Sequence, residues 1–334
     1  MKRFCALLLC LLLACPAALA ARKPEPSPTP APDHTVQLAA IDRLLADHPQ
    51  SCDITAYSLT CQELTDLLAA HPDVSFTYNV TLYGLTFPGD ATTIDFEGVT
   101  IQDVTELKEG LFPRLEYALM YDSPIAREDM DALAALYPDL RWGWTLRLGS
   151  HRVRTDTTAF SSLHSYNGTR YTSGYYSVLK YCWQLKALDL GHNKLTTIDF
   201  VGELTDLRVL ILADNQISDI TPLQNLKHLE YVELFMNKIK DISPLEGMED
   251  MLDLNLCFNS RLTNIPRLER LWAAHCKLSK DYQDELAAKL PHTKVVYSAR
   301  GSTAAGWREH PRYDIINEMF HSWIYIPFTE VDKP

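Results

Sequence analysis

Two stretches of the chain repeat one another at a distance of 22 residues and decide the fold. Residues 207–223 read LRVLILADNQISDITPL, and residues 229–245 read LEYVELFMNKIKDISPL. Both follow the pattern LxxLxLxxN, and flanking stretches that start at Leu185 and Met251 follow it as well. The asparagines that close the pattern are Asn193, Asn215, Asn237 and Asn259. A fixed period of this length indicates a stack of similar units rather than one compact core.

The physical chemistry of the pattern predicts a solenoid. A coil of 22 residues cannot bury its own apolar edge, so the leucines of adjacent units have to form one continuous core. An asparagine side chain carries two donors and an acceptor, and it can therefore satisfy backbone groups in a buried turn. We predict an α/β fold: a leucine-rich repeat solenoid with short parallel strands on its concave face and a mixture of helix and tight turns on its convex side.

The repeats resemble those of the bacterial internalins, a group of extracellular leucine-rich repeat proteins. The phrase LxxLxLxxNxIxDIxPL carries the resemblance and is matched at residues 207–223 and 229–245. The close match covers residues 185–278 of the chain. The resemblance implies a curved solenoid that recognises a protein partner on its concave face.

The array is less regular on both sides of these repeats. The unit that starts at Met251 ends after about 17 residues, where the pattern resumes with Cys276 in the asparagine position. Upstream, an Ala/Leu-rich helical stretch, a Pro-Asp break and an alternating strand follow Glu63 and again Glu128, and a third copy starts at Asp284. We expect residues 36–148 to be divergent helix-bearing repeats that continue the solenoid, with a separate N-terminal cap as the alternative.

The N-terminus indicates export. Lys2 and Arg3 precede an apolar run, and Ala18 and Ala20 form a cleavage signal, so residues 1–20 read as a signal peptide. The run that ends at Cys15 also resembles a lipoprotein box, so a lipid anchor at Cys15 is one alternative. An uncleaved signal is the other alternative. Residues 21–35 are rich in proline and predict an extended linker.

The charge of the chain excludes two classes of partner. The formal net charge is −12, and it becomes −14 without residues 1–20, which hold two basic residues and no acidic ones. An acidic protein lacks the basic face that grips nucleic acid or an anionic lipid surface. We therefore expect a secreted or surface-exposed, monomeric protein with a protein partner and no nucleic acid, and membrane attachment only through the N-terminus.

Two segments flank the regular repeats. Residues 149–184 are polar and rich in tyrosine, which favours a connector, although exposed tyrosines also suit an adhesive loop. Residues 279–334 contain apolar side chains at helical spacing, and they are Ile315, Ile316, Met319, Phe320, Trp323 and Ile324. This stripe predicts a C-terminal cap that folds back on the solenoid, or alternatively a seat for a partner.

The sequence shows no motif that carries chemistry. It contains no paired CxxC, HExxH, glycine-rich phosphate loop or GxSxG elbow, so we predict no cofactor, no metal and no catalytic residue. Cys52 and Cys61 form a candidate disulfide, because they flank a turn-like segment in an oxidising compartment. Cys182 and Cys276 are predicted to be buried thiols, whereas Cys257 is expected to face outward.

The concave face is the remaining candidate site. In the pattern LxxLxLxxN the leucines point inward, so the intervening side chains project from the concave side of the strands. The middle of this face is apolar and aromatic with acidic neighbours, and its predicted binding residues are Tyr231, Glu233, Phe235, Met236, Asp253, Phe258 and Trp272. An exposed patch of this kind marks an interaction site, unless the cap, the tyrosine-rich segment or the shortened unit covers it.

These observations favour an exported, non-enzymatic binding module that recognises a macromolecule, most simply a protein, through its concave face. A structural or self-associating surface spacer is the first alternative. A cell-wall-acting hydrolase with a site in the N-terminal half is the second.

Overall fold

The computed structural model of the protein describes residues 33–101, 103–163, 169–259 and 269–329. The signal peptide, Cys15 and residues 21–32 of the predicted linker lie outside the described residues, as do Leu268 and residues 330–334.

The described chain alternates short strands with helices and turns. Its helices are α1 (His34–Leu45), α2 (Cys61–Ala70), α3 (Arg127–Leu136), α4 (Ser173–Tyr176), α5 (Lys280–Lys289) and α6 (Pro311–Ser322). Its strands in the N-terminal half are β1 (Ser51–Asp53), β2 (Ser75–Thr77), β3 (Asn79–Leu82), β4 (Leu85–Pro88), β5 (Thr93–Asp95), β6 (Tyr117–Leu119), β7 (Arg141–Gly143), β8 (Thr145–Leu148) and β9 (His151–Arg154). Those that follow are β10 (Ala159–Ser161), β11 (Ala187–Asp189), β12 (Val209–Ile211), β13 (Tyr231–Glu233), β14 (Asp253–Asn255), β15 (Arg270–Trp272) and β16 (Lys294–Val296).

The strands β10 to β16 form one parallel sheet in chain order. Neighbouring strands are in the register that the repeat predicts, with Val209 opposite Tyr231 and Tyr231 opposite Asp253. Asp253 pairs with Arg270, which confirms a shortened fourth unit. The sheet extends beyond residues 185–278, since β10 precedes the regular repeats and β16 follows them.

The repeat asparagines stabilise the turns as the pattern predicts. Asn215 Nδ2 donates to the carbonyl oxygens of Leu190 and Leu212 at 3.0 Å, and Asn215 Oδ1 accepts from the backbone N–H of Leu195 at 2.9 Å. Each asparagine thereby joins neighbouring units. Cys276 is confirmed in the equivalent place, since its Sγ lies 3.0 Å from the carbonyl oxygen of Leu256.

Helix–break–strand copies occur where the sequence indicates them, twice in the N-terminal half and once after the regular repeats. The helices α2, α3 and α5 are each followed by a strand that pairs in parallel, namely β2, β7 and β16. The alternating stretches after α2 and α3 are not single strands, because each breaks and continues into an antiparallel hairpin, β3–β4 or β8–β9. One hydrophobic core runs from Ile41 to Leu290, so the leucine core of the repeats continues into the N-terminal half.

The tyrosine-rich segment 149–184 is more than a connector. It supplies β9 and the first strand of the long sheet, β10. The rings of Tyr171 and Tyr175 stack with centroids 4.0 Å apart, and Tyr176 is buried beside them. The described part of this segment therefore belongs to the packed structure as well as connecting its neighbours, because these tyrosines pack on the core.

The C-terminal residues 299–328, which we call the C-terminal arm, cross the concave face of the long sheet. The apolar stripe of α6 does fold back, but it packs on the face of the sheet rather than only on the end of the solenoid. Ile316, Met319 and Phe320 lie in a second hydrophobic cluster together with Tyr231 and Trp272. At the far end of the arm, Trp323 packs on Phe160, with ring centroids 5.3 Å apart.

Within the described ranges, no helix combines the length and the apolar character that crossing a bilayer requires.

Candidate protein-binding surface

The structure places the predicted site residues on the concave side but covers most of them. Tyr231, Phe235 and Trp272 belong to the cluster under the C-terminal arm, and Glu233 and Asp253 are buried there too. The expectation of one exposed patch was therefore wrong for these five side chains, because the arm shields them from solvent. Met236 and Phe258 remain exposed, with 45% and 39% of their surface accessible.

We call the covered part of the concave face the concave groove; its side chains come from the strands β11 to β15 and include Asp189, Ile211, Tyr231, Glu233, Asp253, Asn255, Arg270 and Trp272. The alternation of a strand explains this set, since the neighbouring side chains Leu210, Val232 and Leu254 point into the leucine core.

Trp307 of the arm occupies an aromatic pocket in the concave groove. Its ring centroid lies 5.3 Å from that of Tyr231 and 5.0 Å from that of Trp272, and its Nε1 donates to Glu233 Oε1 at 2.6 Å. The Tyr231 hydroxyl donates to the same oxygen at 2.5 Å. The guanidinium of Arg270 lies 4.9 Å from the Trp307 ring centroid, a cation–π distance. The indole is thus held by rings, a carboxylate and a cation at once.

Arg312 of the arm occupies an acidic pocket beside it. Its side chain is fully buried, its Nε lies 2.8 Å from Asp253 Oδ2, and its Nη2 donates to Glu269 Oε2 at 2.9 Å. Arg270 Nε pairs with the other oxygen of Asp253 at 2.5 Å. The buried charges are therefore compensated by one another, as buried ions must be.

Two other carboxyl groups in the concave groove have perturbed pKa values. Burial raises the pKa of Asp189 to about 6, although hydrogen bonds from the Gly191 N–H and the Ser161 hydroxyl act in the opposite direction. Burial also raises the pKa of Glu233, against the hydrogen bonds from Trp307 and Tyr231. Both carboxyls have lost hydration under the arm.

The arm does not fill the concave groove completely. A cavity of about 160 Å³ remains between them, and its walls include Asp189, Glu233, Phe235, Arg308, Tyr313 and Phe320. Three buried polar atoms of the described residues also lack a hydrogen-bond partner here: Asp253 Oδ2, Arg270 Nη2 and Arg312 Nε. The contact of Arg312 Nε with Asp253 is therefore an ion pair without hydrogen-bond geometry.

Beside the concave groove, the ends of the strands form a row of half-buried and exposed side chains that we call the strand-end rim: His192, Asp214, Met236, Phe258 and His275. All five have a positive φ between 51° and 64°. The backbone N–H of Met236 donates to the carbonyl oxygen of Cys257 at 2.8 Å, and that of Phe258 donates to Ala274 at 3.0 Å. The repeat imposes this left-handed backbone conformation at every rim position. The chemical differences along the rim therefore come from its side chains.

The two ends of the strand-end rim differ in chemistry. At one end, Asp214 Oδ2 pairs with His192 Nδ1 at 2.9 Å and with Arg170 Nη2 at 2.8 Å. At the other end, the rings of Phe258 and His275 stack with centroids 4.2 Å apart. Among the described residues of the repeats, Met236 and Phe258 are the large apolar side chains left exposed. The apolar end is therefore the part of the predicted site that solvent reaches.

The cysteines differ from the prediction in two respects. Cys52 and Cys61 are both free, so the candidate disulfide is not formed. Cys52 is buried in β1, whereas Cys61 begins α2 and its Sγ lies 3.6 Å from the carbonyl oxygen of Thr81. Cys182 and Cys276 are buried as predicted, but Cys257 is buried under the arm instead of facing outward. The described residues contain no group of three or more ligands able to hold a metal.

Comparisons with known proteins agree with this architecture. A family model of leucine-rich repeats, described as Leucine Rich repeats (2 copies), matches residues 183–225 and 205–247. No curated protein matches the chain.

Similar solved structures include bacterial repeat proteins. An internalin (inlF) from Listeria monocytogenes has 26% identity over 39% of this chain and 41% of its own, with a TM-score of 0.31. Internalin C2 (inlC2) from the same organism has 18% identity over 62% of this chain and 80% of its own, with a TM-score of 0.31. A leucine-rich repeat protein of Leptospira interrogans has 17% identity over 67% of this chain and 65% of its own, also with a TM-score of 0.31.

The chain thus spans under half of the inlF structure that it matches. The repeat pattern, the stacked parallel sheet and the family match together show that residues 183–247 of the chain are leucine-rich repeats, and these repeats resemble those of the bacterial internalins.

Proposed function

We propose that the chain is an exported, non-enzymatic binding module that recognises a protein partner on the concave side of its repeats, at the apolar end of the strand-end rim. Leucine-rich repeat proteins generally mediate binding between proteins. The signal-like N-terminus supports export, and the lack of any catalytic motif in the sequence supports a binding role.

The exposure of Met236 and Phe258 on neighbouring repeats is the observation that carries the proposal. Their positions in the sequence differ by 22, so they stand one unit apart along the solenoid. A methionine adapts to irregular partner surfaces, and an aromatic ring supplies a large contact area. Together with the stacked His275 they form an apolar contact surface beside the concave groove.

Affinity capture with the immobilised chain, followed by binding measurements on each captured protein, tests the proposal. The rim variant carries Met236→Ser and Phe258→Ser. The matched control is Leu136→Ser, because Leu136 on α3 is 42% exposed and lies outside the regular repeats of residues 185–278. Truncating an interface anchor typically costs more than about 1 kcal/mol, so we expect the rim variant to bind at least about tenfold more weakly.

The control variant should retain the affinity of the wild-type chain. If the captured proteins bind the rim variant and the wild-type chain equally well, and circular dichroism shows both to be folded, the strand-end rim is not the binding surface.

A further inference from the structure

The C-terminal arm shows which kind of segment the concave groove accepts. Trp307 fills the aromatic pocket and Arg312 fills the acidic pocket. Four, seven and eight residues after Arg312, the side chains of Ile316, Met319 and Phe320 follow on one face of α6 and enter the apolar part of the groove. The occupant is therefore a tryptophan, an arginine five residues later, and a short amphipathic helix.

The solenoid does not need the arm to complete its inner core. The leucines of the repeats form one cluster, whereas Trp307, Ile316, Met319 and Phe320 belong to the second cluster on the other face of the sheet. Trp323 is the exception, since it also packs at the margin of the leucine core. Release of the arm would therefore open the second cluster and leave the first one closed.

The fit of the arm leaves room for a better occupant. A ligand whose side chains fill the cavity of about 160 Å³ would gain contacts that the arm does not make. Two polar atoms of the groove itself, Asp253 Oδ2 and Arg270 Nη2, also lack a hydrogen bond while the arm is bound, although buried polar groups are normally paired. A competing segment that fills the cavity or forms hydrogen bonds with these two atoms would bind better than the arm.

Charge selects the ligand further. The concave groove brings together the carboxyl groups of Asp189, Glu233 and Asp253, with Glu269 at its edge. The arm places the positive charges of Arg308 and Arg312 near these carboxyl groups. An acidic groove with aromatic walls favours a segment that is cationic as well as aromatic.

We propose that the concave groove is a second protein-binding site, which takes a cationic and aromatic helical segment of a partner protein in exchange for the C-terminal arm. The surface is separate from the strand-end rim, so the two proposals succeed or fail independently. Rotation in the segment between the end of β16 at Val296 and Trp307 would withdraw the Trp307 side chain from the groove. Gly306 in this segment has a φ of 92°, which is a conformation that favours glycine.

The arm sets the apparent affinity for such a ligand. A ligand that needs the open groove binds with its intrinsic dissociation constant divided by the open fraction. Any change that weakens the arm without altering the groove must therefore tighten binding of an added segment. A permanently closed cap would show no such gain.

Fluorescence anisotropy of a labelled synthetic peptide tests the proposal on the full chain. The probe has the sequence of residues 303–328, and a second probe carries Trp307→Ala and Arg312→Gln. The chains are the wild type, the variant Arg312→Gln and the matched control Arg300→Gln, since Arg300 is an exposed arginine at the start of the arm.

We expect the unchanged peptide to bind the Arg312→Gln chain at least about tenfold more tightly than the other two chains. The substituted peptide should bind that chain at least about tenfold more weakly than the unchanged one. Equal binding of the two peptides, or no binding of the unchanged peptide to any chain, would overturn the proposal.

A second design avoids substitution in the packed residues. A protease site inserted between Arg300 and Gly301 allows the arm to be cut from the folded chain, and the labelled peptide should then replace it while the released arm is identified by mass spectrometry. Retention of the cut arm in excess peptide would overturn the proposal. A wild-type dimer that the peptide dissociates would identify a second copy as the occupant and overturn the assignment to a separate partner.

Discussion

Arg312 Nε lies 2.8 Å from Asp253 Oδ2, and both side chains are fully buried. Arg312 belongs to the helix of the C-terminal arm and Asp253 to strand β14, 59 positions earlier in the sequence. This ion pair ties the arm to the concave groove at the point where the repeats carry their acidic side chains. The concave face is therefore an interior surface over much of its area.

Substitution of Arg312 tests the energetic importance of this tie. Arg312→Gln leaves Asp253 with Arg270 as its remaining cationic partner, and removal of one member of a buried pair costs about 3–5 kcal/mol. We expect a loss near the lower end of this range in urea unfolding. The control Arg300→Gln should change the stability by less than about 0.5 kcal/mol, as exposed sites usually do. Equal stability of both variants would contradict the role of the ion pair.

Asp189 makes the stability depend on pH. Burial raises its pKa from 3.8 to about 6, so between about pH 4 and pH 6 the folded chain binds more protons at this group than the unfolded chain does. The stability contributed by Asp189 therefore falls as the pH rises through this window and is constant above it.

The variant Asp189→Asn removes the titration, and its amide can accept from the Gly191 N–H with its oxygen while its NH2 group donates to the Ser161 hydroxyl oxygen. The midpoints of urea unfolding of both chains at about pH 4 and pH 7 give the difference in stability between the variant and the wild type at each pH. We expect the variant to gain stability relative to the wild type as the pH rises. Parallel pH profiles of the two chains would show that Asp189 is not perturbed.

The hydrogen bonds of the repeat asparagines predict that replacing one of them lowers the free energy of unfolding substantially. Asn215→Ala removes the hydrogen-bond partner of the Leu195 N–H and one of the two donors to the Leu212 carbonyl oxygen, which keeps its bond from Asn237 Nδ2. A buried polar group without a partner costs about 1–3 kcal/mol, so we expect the free energy of unfolding to fall by about 2 kcal/mol. The control is Asn225→Ala, at an exposed turn position of the same repeat. A similar loss in both variants would mean that the side-chain hydrogen bonds of Asn215 contribute little to stability.

The repeats could be predicted from the sequence because their determinants are local and periodic. The inward side chains such as Leu210, the turn residue Asn215 and the shortened unit before Arg270 follow from spacing alone. The side on which Tyr231 and Trp272 lie follows in the same way, from the alternation of a strand.

Their burial could not be predicted from the same pattern. The repeat pattern predicts an apolar concave face, but it is the same whether another protein or another part of the chain covers that face. The contact of Trp307 with Glu233 joins residues 74 positions apart through an aperiodic turn, so no spacing rule indicates it. The spacing of the apolar residues of α6 predicts a helix face, whereas nothing in the spacing of Trp307 and Arg312 indicates the pockets that they fill.

The disulfide expectation shows the same limit. Nearness of Cys52 and Cys61 in the sequence indicates a short loop, but not the direction of either side chain. A buried strand position and the first turn of a helix place the two thiols in different surroundings.

The accessibility of Cys257 tests most directly whether the arm covers the concave groove. Cys257 is fully buried in the second cluster, and burial raises the pKa of its thiol to about 12, so it should resist alkylation. Cys61 is half-buried, and Cys182 lies in the leucine core. Alkylation of the folded wild-type chain followed by peptide mapping should label Cys61 well before Cys257. In the Arg312→Gln chain Cys257 should react faster while Cys182 stays protected; labelling of Cys257 as fast as Cys61 in the wild type would contradict the account.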